Sequence, residues 1–522
     1  SGMTNLLKQS LRQLIRWPVY KYRRRCDMAI SPLPTHNALA ARLGASGVNS
    51  ALDFPAKWLG ETDRLFGTAE LTNETFTGNI KYADLSLKGI FDVLGSGEVR
   101  SGSQLDAKGA FGHKYERQSL DQDFQLRAQQ ILAELDSASN FLDDASPQTS
   151  KLTDAISNGD YTMVDWHTDV KSGYRWDPSG WWLDQAIGPA PGVDIKVPWE
   201  ISRGHDLVDL AIAGNVEPSV NYHETLSIRL LDWIAANPAR KGVNWRSTME
   251  VAIRATNWIW ALSIANAAGS LSPSVIWIVA RSLEQHAHFI VQYPDEGGAQ
   301  ANNHYIADMA GLAHIAAALP THEDAPIWAE IAAGGLAEQA SAAVDSGGFS
   351  VEGSVGYHRF VTELLTHGTL ATLRFPHTWA ASRITDQQSH WRSIAKVFTY
   401  ADFIKKPNDR SPQFGDHDAG RYLKFSRPLS EVGEDTLNHS HLAHLAQGIT
   451  NTSADHDENV NPESLLPTMG INRDQLSEAQ TAFRDEDETT SHTIVRPGVW
   501  LSQTERLWVA VRTFEPTQSD PT

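Results

Sequence analysis

Residues 245–268 read WRSTMEVAIRATNWIWALSIANAA, and this stretch decides the fold class. Its apolar side chains recur every three to four residues, which is the spacing of an α-helix with a buried face. Further stretches with the same spacing occupy residues 199–213, 222–236, 272–293, 303–319, 326–345, 356–373 and 390–404. Turn signals such as Asn237-Pro238 separate these stretches. The sequence therefore predicts a mainly α protein, built as a layered array of antiparallel helix pairs.

The two ends of the chain differ from this helical middle, residues 161–425. Residues 1–160 are predicted as a mixed, partly helical region, with a helical stretch at 115–144. Residues 493–496 and 506–512 read as two strands around a polar turn, so 491–522 are predicted to begin a β-domain. Residues 426–490 are predicted as an acidic connecting region, because ten carboxylates face two arginines between positions 455 and 488.

Composition narrows the class of partner. The 522 residues carry 63 acidic against 44 basic side chains, a formal net charge of -19. This balance argues against a nucleic-acid partner, since phosphate contacts need a basic surface. Seventeen tryptophans provide flat faces suited to sugar rings, although most are expected in the core. The single cysteine, Cys26, excludes an intrachain disulfide and a zinc site built from cysteines.

No stretch of about 18 apolar residues occurs, so no membrane-spanning segment is expected. Residues 6–25 form a basic, amphipathic start that favours weak contact with a membrane surface. A terminal helix that docks on its own domain or frays is the alternative. Because this start lacks the apolar run of a signal peptide, we expect a cytoplasmic protein, with a periplasmic location as the alternative.

Two segments carry the candidate chemistry: ANNHY at residues 301–305 and GGFSVEGSVGYH at residues 347–358. Together they supply amide donors, an imidazole and a phenol. Asn303 and His304 are suited to hold a sugar carboxylate while negative charge develops on it. Tyr357 is suited to move a proton as base, acid or both. Tyr305 is a weaker candidate phenol, and a structural role at a helix end is the alternative for His304.

Several motifs occur in one order along the chain, at residues 91–97, 165–167, 171–174, 196–203, 237–238, 242–245, 249–258, 302–304 and 352–358. This series resembles the heparinase II/III-like family, and most closely its members from bacterial capsule and exopolysaccharide gene clusters. The resemblance covers about residues 90–421. It implies an incomplete (α/α) toroid as the catalytic domain, followed by the start of an antiparallel β-sandwich. It also implies a polysaccharide lyase that cleaves a uronic-acid-containing polysaccharide by β-elimination.

The resemblance also implies which residues line the substrate groove. Besides the catalytic Asn303, His304 and Tyr357, they are Trp199, Glu200, Arg203, His205, Asn257, Trp258, Asn302, Glu352 and His358. Glu200 and Arg203, three positions apart, are equally readable as a structural ion pair on one helix. No cofactor or metal is expected, because the Asp- and His-containing residues 414–421 are better explained as a turn held by Asp side chains. A further histidine of the family's β-sandwich would lie beyond residue 522, so the site in this chain is expected to be incomplete or to rely on Tyr357.

Two other functions stay open at this point. The first is a non-catalytic glycan-binding or assembly protein of a capsule locus. The second is a toroid glycoside hydrolase, which needs two carboxylates flanking the scissile bond. Available carboxylates are Glu200, Glu250, Glu352 and Asp416, but none has a convincing partner in the sequence.

Overall fold

The computed structural model describes residues 23–27, 33–59, 69–116, 119–295, 302–375, 388–406, 408, 410–417, 420–431, 433–450, 462–467, 469, 471, 473–489, 495–496, 499–503 and 508–512. These residues are mainly helical, as predicted. The α-helices are α1 (His36–Leu43), α2 (Gly47–Leu59), α3 (Ala69–Leu87), α4 (Asp121–Leu142), α5 (Pro147–Asn158), α6 (Lys196–Ser202), α7 (His205–Val216), α8 (Tyr222–Ala236), α9 (Thr248–Ala265), α10 (Pro273–Gln292), α11 (Asn303–Ala318), α12 (Ala325–Ala342), α13 (Val355–Arg374), α14 (Gln388–Phe403), α15 (Ser440–Thr450) and α16 (Ser477–Thr489). The paired strands are all antiparallel: β1 (Ile90–Phe91) with β2 (Val99–Arg100), β3 (Leu429–Ser430) with β4 (Gly433–Glu434), and β5 (Val495–Arg496), β6 (Val499–Gln503) and β7 (Trp508–Arg512) in that order.

Alternate helices of the chain form one layer, in which α7, α9, α11 and α13 pack side by side. Glycines allow the close approach. A Cβ on Gly311 of α11 would lie 2.6 Å from the Cβ of Ala252 in α9, and one on Gly368 of α13 would lie 2.9 Å from the Cβ of Ala310 in α11. Every residue of α9 is buried, so this helix is the centre of the core.

The predicted helix at 199–213 is two helices in the structure, because the chain turns at Gly204 between α6 and α7. Gly204 has φ 77°, a left-handed conformation that favours glycine. A Cβ there would also approach Leu207 Cδ1 and Trp258 Cδ1 to 3.2 and 3.3 Å. The stretch 245–268 likewise begins with a 3₁₀ turn, Val243–Trp245, before α9 starts at Thr248. By contrast, the prediction for 222–236 coincides with α8.

A buried polar cluster ties distant parts of the chain together. Asp209 of α7 accepts hydrogen bonds from Asn79 Nδ2 at 2.8 Å and from Arg427 Nε at 2.9 Å. Asn79 Nδ2 also lies 3.4 Å from the Lys424 carbonyl oxygen. Glu434 joins the cluster, with Lys424 Nζ at 3.1 Å and Arg427 Nη1 at 3.2 Å. The cluster therefore joins α3, α7 and the segment that leads into β3 and β4.

Part of the predicted acidic connecting region is packed helix. Helix α16 lies against α14, and the rings of Phe398 and Phe483 meet with centroids 5.5 Å apart. Of the predicted basic start, residues 6–22 lie outside the described residues. None of the described helices combines the length and the apolar character needed to cross a membrane.

Candidate active site

The two segments singled out in the sequence begin neighbouring helices. Asn302 is the N-cap of α11, and its side-chain oxygen accepts a hydrogen bond from Tyr305 N at 2.8 Å. Ser354 caps α13 in the same way and accepts from Tyr357 N at 3.2 Å. Asn and Ser are favoured at this position because their side chains satisfy an amide that the first helical turn leaves unpaired. Asn302 is thus a structural cap here.

Carboxylates join the N-termini of three helices at one end of the layer. Glu352 accepts hydrogen bonds from Asn303 N at 2.7 Å and from Asn303 Nδ2 at 2.6 Å, which places the approach to α13 beside the start of α11. Asp295 Oδ2 accepts from Met249 N, at the start of α9, at 3.2 Å and lies 3.3 Å from His304 Nδ1. Helix N-termini carry partial positive charge, which favours the carboxylates of Glu352 and Asp295 at these positions.

His304 is the imidazole of this end, and its side chain is 46% exposed. Burial alone would lower its pKa, but the hydrogen bond and charge of Asp295 outweigh burial, and Glu250 and Glu352 add to their effect. The pKa of His304 is therefore raised above its ordinary value. A larger share of the imidazole is protonated near neutral pH than for a free histidine, which suits it to face a negatively charged group.

Tyr357 donates its hydroxyl proton to a carboxylate from a separate loop. The acceptor is Asp416 Oδ2 at 3.3 Å, and the side chain of Tyr357 is half-buried. The other oxygen of Asp416 accepts from His417 N at 2.9 Å, and Ser354 Oγ donates to the Asp416 carbonyl oxygen. The loop that contains Asp416 is therefore fixed to the start of α13, with its carboxylate beside the phenol.

Glu200 and Arg203 form a structural ion pair, which was one of the two roles that the sequence predicted for them. Arg203 Nη1 lies 2.7 Å from Glu200 Oε2, while its Nε and Nη2 each donate to Glu250 at 2.8 Å. All three side chains are buried. Burial would raise the pKa of Glu200, but the Arg203 guanidinium outweighs it and holds that pKa well below its usual range. Arg203 thus binds two carboxylates of the protein itself.

Asn257 and Trp258, predicted along the groove, lie in the core. The Asn257 side chain is fully buried and donates to the Tyr422 carbonyl oxygen at 2.9 Å. Trp258 is 1% exposed and meets Trp233 edge to face, with ring centroids 5.1 Å apart. A sugar ring cannot reach a tryptophan face at that exposure, so the structure gives these two residues a packing role.

His358 is a core residue as well. Its Nε2 donates to the Val397 carbonyl oxygen at 2.9 Å, so its Nδ1 is the acceptor for Ser350 N at 3.3 Å. Burial lowers the pKa of His358 to about 4, which leaves it neutral. The two ring nitrogens therefore join the loop before α13 to helix α14.

Trp199 and His205, which were also predicted along the groove, differ in exposure. Trp199 is half-buried and donates from Nε1 to the Val243 carbonyl oxygen at 2.8 Å. His205 is buried, and burial lowers its pKa to about 4. It contributes to a cleft of about 410 Å³, a volume that includes space open to solvent. Other residues that line this cleft are Tyr82, Ser86, Phe91, Asp92, Glu200, Lys424 and Arg427.

The sequence did not predict the contact of Asp295 with His304 or the hydrogen bond between Tyr357 and Asp416. Asp295 lies in the loop after α10, where Pro294 and Asp295 read only as a turn, and Asp416 read as part of a turn. Asp416 lies 59 residues after Tyr357, and Asp295 lies in a loop nine residues before His304. Because both are loop residues, no periodic pattern signals their contacts. Among the residues that the structure describes, no three metal-binding side chains cluster.

Comparison with known proteins identifies the family to which the chain belongs. A family profile described as Heparinase II/III N-terminus matches residues 95–430. A heparan sulfate lyase structure from Pedobacter heparinus is 17% identical over 58% of this chain and 41% of that chain, with a TM-score of 0.36. A mutant of the same lyase is 15% identical over 78% and 53%, with a TM-score of 0.40. A heparinase III structure is 16% identical over 56% and 47%, with a TM-score of 0.37.

The chain spans about half the length of these solved structures. No curated protein matches it. The family profile covers well over half of the chain, including the starts of α9, α11 and α13 and the loop that holds Asp416. The protein belongs to the heparinase II/III family.

Proposed function

We propose that the protein is a polysaccharide lyase that cleaves a uronic-acid-containing polysaccharide by β-elimination. The observation that carries the proposal is the contact between His304, in the first turn of α11, and Asp295, which binds the start of α9. Although burial lowers the pKa of His304, the hydrogen bond and charge of Asp295 raise it above its ordinary value. The family membership supports the same class of reaction.

The first requirement of this reaction is charge neutralisation. The C5 proton of a uronate is too weakly acidic to leave while the neighbouring carboxylate keeps its full negative charge. In the proposed complex, protonated His304 donates from Nε2 to that carboxylate. Asn303 adds an amide donor. Its Nδ2 carries two hydrogens, and Glu352 binds one of them.

The second requirement is proton transfer. We assign it to Tyr357, whose hydroxyl passes its proton to Asp416 as the phenol oxygen takes the proton from C5. The electrons of the C5–H bond form the C4–C5 double bond, and the C4–O bond breaks. The departing glycosidic oxygen then takes the proton from Tyr357, and Asp416 returns its proton to the phenol.

Further features of the family enter as parts of the same proposal. We infer that the layer of α7, α9, α11 and α13, with its outer helices, is an incomplete (α/α) toroid. The three-stranded sheet of β5, β6 and β7 would be the start of a β-sandwich. The half-buried Trp199 would stack on a neighbouring sugar of an acidic chain, such as a bacterial capsule or exopolysaccharide.

The hydrolase alternative is less well supported by the geometry. Glu200 and Glu250 are both bound to Arg203, and Glu352 is bound to Asn303. Asp416 accepts a hydrogen bond from Tyr357. All four carboxylates are thus bound by protein donors, whereas a glycoside hydrolase needs two carboxylates that flank the scissile bond.

The test is ultraviolet absorbance of the new C4–C5 double bond, measured over a panel of uronic-acid polysaccharides. We expect Y357F and H304A to lose most of the absorbance increase while both still bind the polysaccharide in affinity electrophoresis. Y305F is the matched control, because it removes a neighbouring phenol, and it is expected to keep turnover. Binding without absorbance change by the unaltered protein would favour the assembly-protein alternative.

A further inference from the structure

We propose that Asp295 is the positioning residue of His304: it binds Nδ1 and so makes Nε2 the nitrogen that meets the substrate carboxylate. This inference rests on the proposed function. The tautomer and the orientation of a histidine are set by the partner of its other nitrogen, and a carboxylate is a strong partner for an imidazolium.

Asp295 is itself held from two sides. The oxygen that lies 3.3 Å from His304 Nδ1 also accepts from Met249 N at 3.2 Å, which anchors the carboxylate to the start of α9. The backbone nitrogen of Asp295 donates to Asp308 Oδ2 at 2.6 Å. Asp308 lies on α11 one turn after His304 and is fully buried. The loop is thus fixed to the helix that carries the imidazole.

Asp308 holds this loop from a fully buried position. Burial raises its pKa well above the ordinary value, and the nearby Asp295 carboxylate raises it further. The side-chain oxygen Oδ2 of Asp308 accepts a hydrogen bond from the Asp295 backbone nitrogen at 2.6 Å. Asp308 therefore holds the loop through the backbone and leaves the Asp295 carboxylate to contact His304 and Met249 N.

Three carboxylates face His304, and they differ in what else they bind. Glu250 is paired with Arg203, and Glu352 accepts two hydrogen bonds from Asn303. Asp295 is, among the described residues, the carboxylate that contacts the imidazole directly. Orientation of the ring is therefore assigned to Asp295, and the other two contribute charge at a distance.

The test is the variant D295N, which keeps the shape and an acceptor for Met249 N but removes the charge. Histidine ring signals labelled with ¹³C report each titration, and the His304 signal is identified by its loss in H304Q. We expect the pKa of His304 to fall in D295N. Turnover should drop about tenfold to a hundredfold, the effect of one lost charge-assisted hydrogen bond. The alkaline limb of the activity profile should move to lower pH, since the required imidazolium is lost earlier.

The chain offers a matched control in Asp324. Its Oδ2 lies 3.3 Å from His288 Nε2, and the two side chains are 39% and 41% exposed, against 33% and 46% for Asp295 and His304. D324N removes an equivalent carboxylate from an equivalent histidine outside the site. We expect it to leave the His304 titration and the activity profile unchanged.

A double-variant cycle separates positioning from general support of the fold. If Asp295 acts through His304, D295N combined with H304Q loses no more turnover than H304Q alone, whereas independent structural roles would add. An unmoved His304 titration in D295N, or additive losses, overturns the inference. The titration needs no substrate, so a protein without lyase activity would refute the proposed function and still report on the contact between Asp295 and His304.

Discussion

Glu352 binds Asn303 through both of its carboxylate oxygens, one on the backbone nitrogen at 2.7 Å and one on the side-chain amide at 2.6 Å. The sequence predicted Glu352 as a substrate contact. In the structure it holds the first residue of α11 against the loop that leads into α13. Its effect on substrate would then act through Asn303.

E352Q tests this role. The glutamine amide keeps one acceptor for Asn303 and presents a donor where the second acceptor stood. We expect kcat/KM to fall about tenfold to a hundredfold, the effect of losing one hydrogen bond to a charged group. E338Q, on the exposed side of α12, is the control and should retain full activity. Equal kcat/KM for E352Q and the unaltered protein would show that the two hydrogen bonds from Asn303 to Glu352 do not contribute to activity.

Glu434 makes a second prediction, about acid stability. Burial would raise its pKa, but Lys424 and Arg427 outweigh burial and lower it from 4.5 to about 2. Because the folded-state pKa is the lower one, the stabilisation is present above about pH 4.5 and is lost as pH falls toward 2. The size is on the order of 3 kcal/mol.

E434Q should therefore be less stable than the unaltered protein at pH 7 and should lose less on acidification. Urea unfolding at pH 7, 4 and 3 measures both effects. E431Q, an exposed change in the same hairpin, is the control. Parallel stability curves for E434Q and the unaltered protein across this range would count against the assigned ion pairs.

The close approach of α9 and α11 makes a third prediction. In G311A the new Cβ would lie 2.6 Å from Ala252 Cβ, and the backbone of Ala252 is also within 3 Å. Overpacking of this kind costs about 1–3 kcal/mol. The melting temperature should drop, whereas G188A, which meets nothing within 4 Å, should leave it unchanged. An unchanged melting temperature in G311A would mean that the two helices separate without cost.

A pair of tryptophan variants separates core from groove. We expect W258F to lower the melting temperature, because Trp258 is 1% exposed, and to leave polysaccharide affinity unchanged. W199A should instead weaken polysaccharide binding, by roughly twofold to tenfold if one stacked ring is lost. Affinity electrophoresis and thermal melting measure the two effects. Weaker binding by W258F than by W199A would reverse the assignment.

The sequence was sufficient for the helices because their apolar spacing is regular, and α8 begins and ends where the pattern does. It could not show the break at Gly204, since the apolar spacing continues through it. It also misplaced Asn257 and Trp258. Helix α9 is buried all round, so its polar residues do not mark an outer face.

For the site, the residues in the first turns of helices could be predicted from the sequence, and their carboxylate partners on loops could not. Asn303, His304 and Tyr357 lie in the first turns of helices with Asn and Ser caps, which short-range patterns reveal. Asp295 and Asp416 contact them from loops, where no periodic pattern predicts the direction of a side chain. The ion pair of Arg203 with Glu250 spans 47 residues and has no signal in the sequence.

The buried cluster around Asp209 has a consequence for how the chain reaches its folded state. Asp209 takes one partner from 130 residues earlier, Asn79, and another from 218 residues later, Arg427. During synthesis, α3 and α7 emerge long before Arg427, so the Asp209 carboxylate cannot be buried with its partner until the later segment is made. Contacts of such long sequence separation slow folding and expose intermediates. We expect the pairing of Arg427 with Asp209 to be among the last steps of folding.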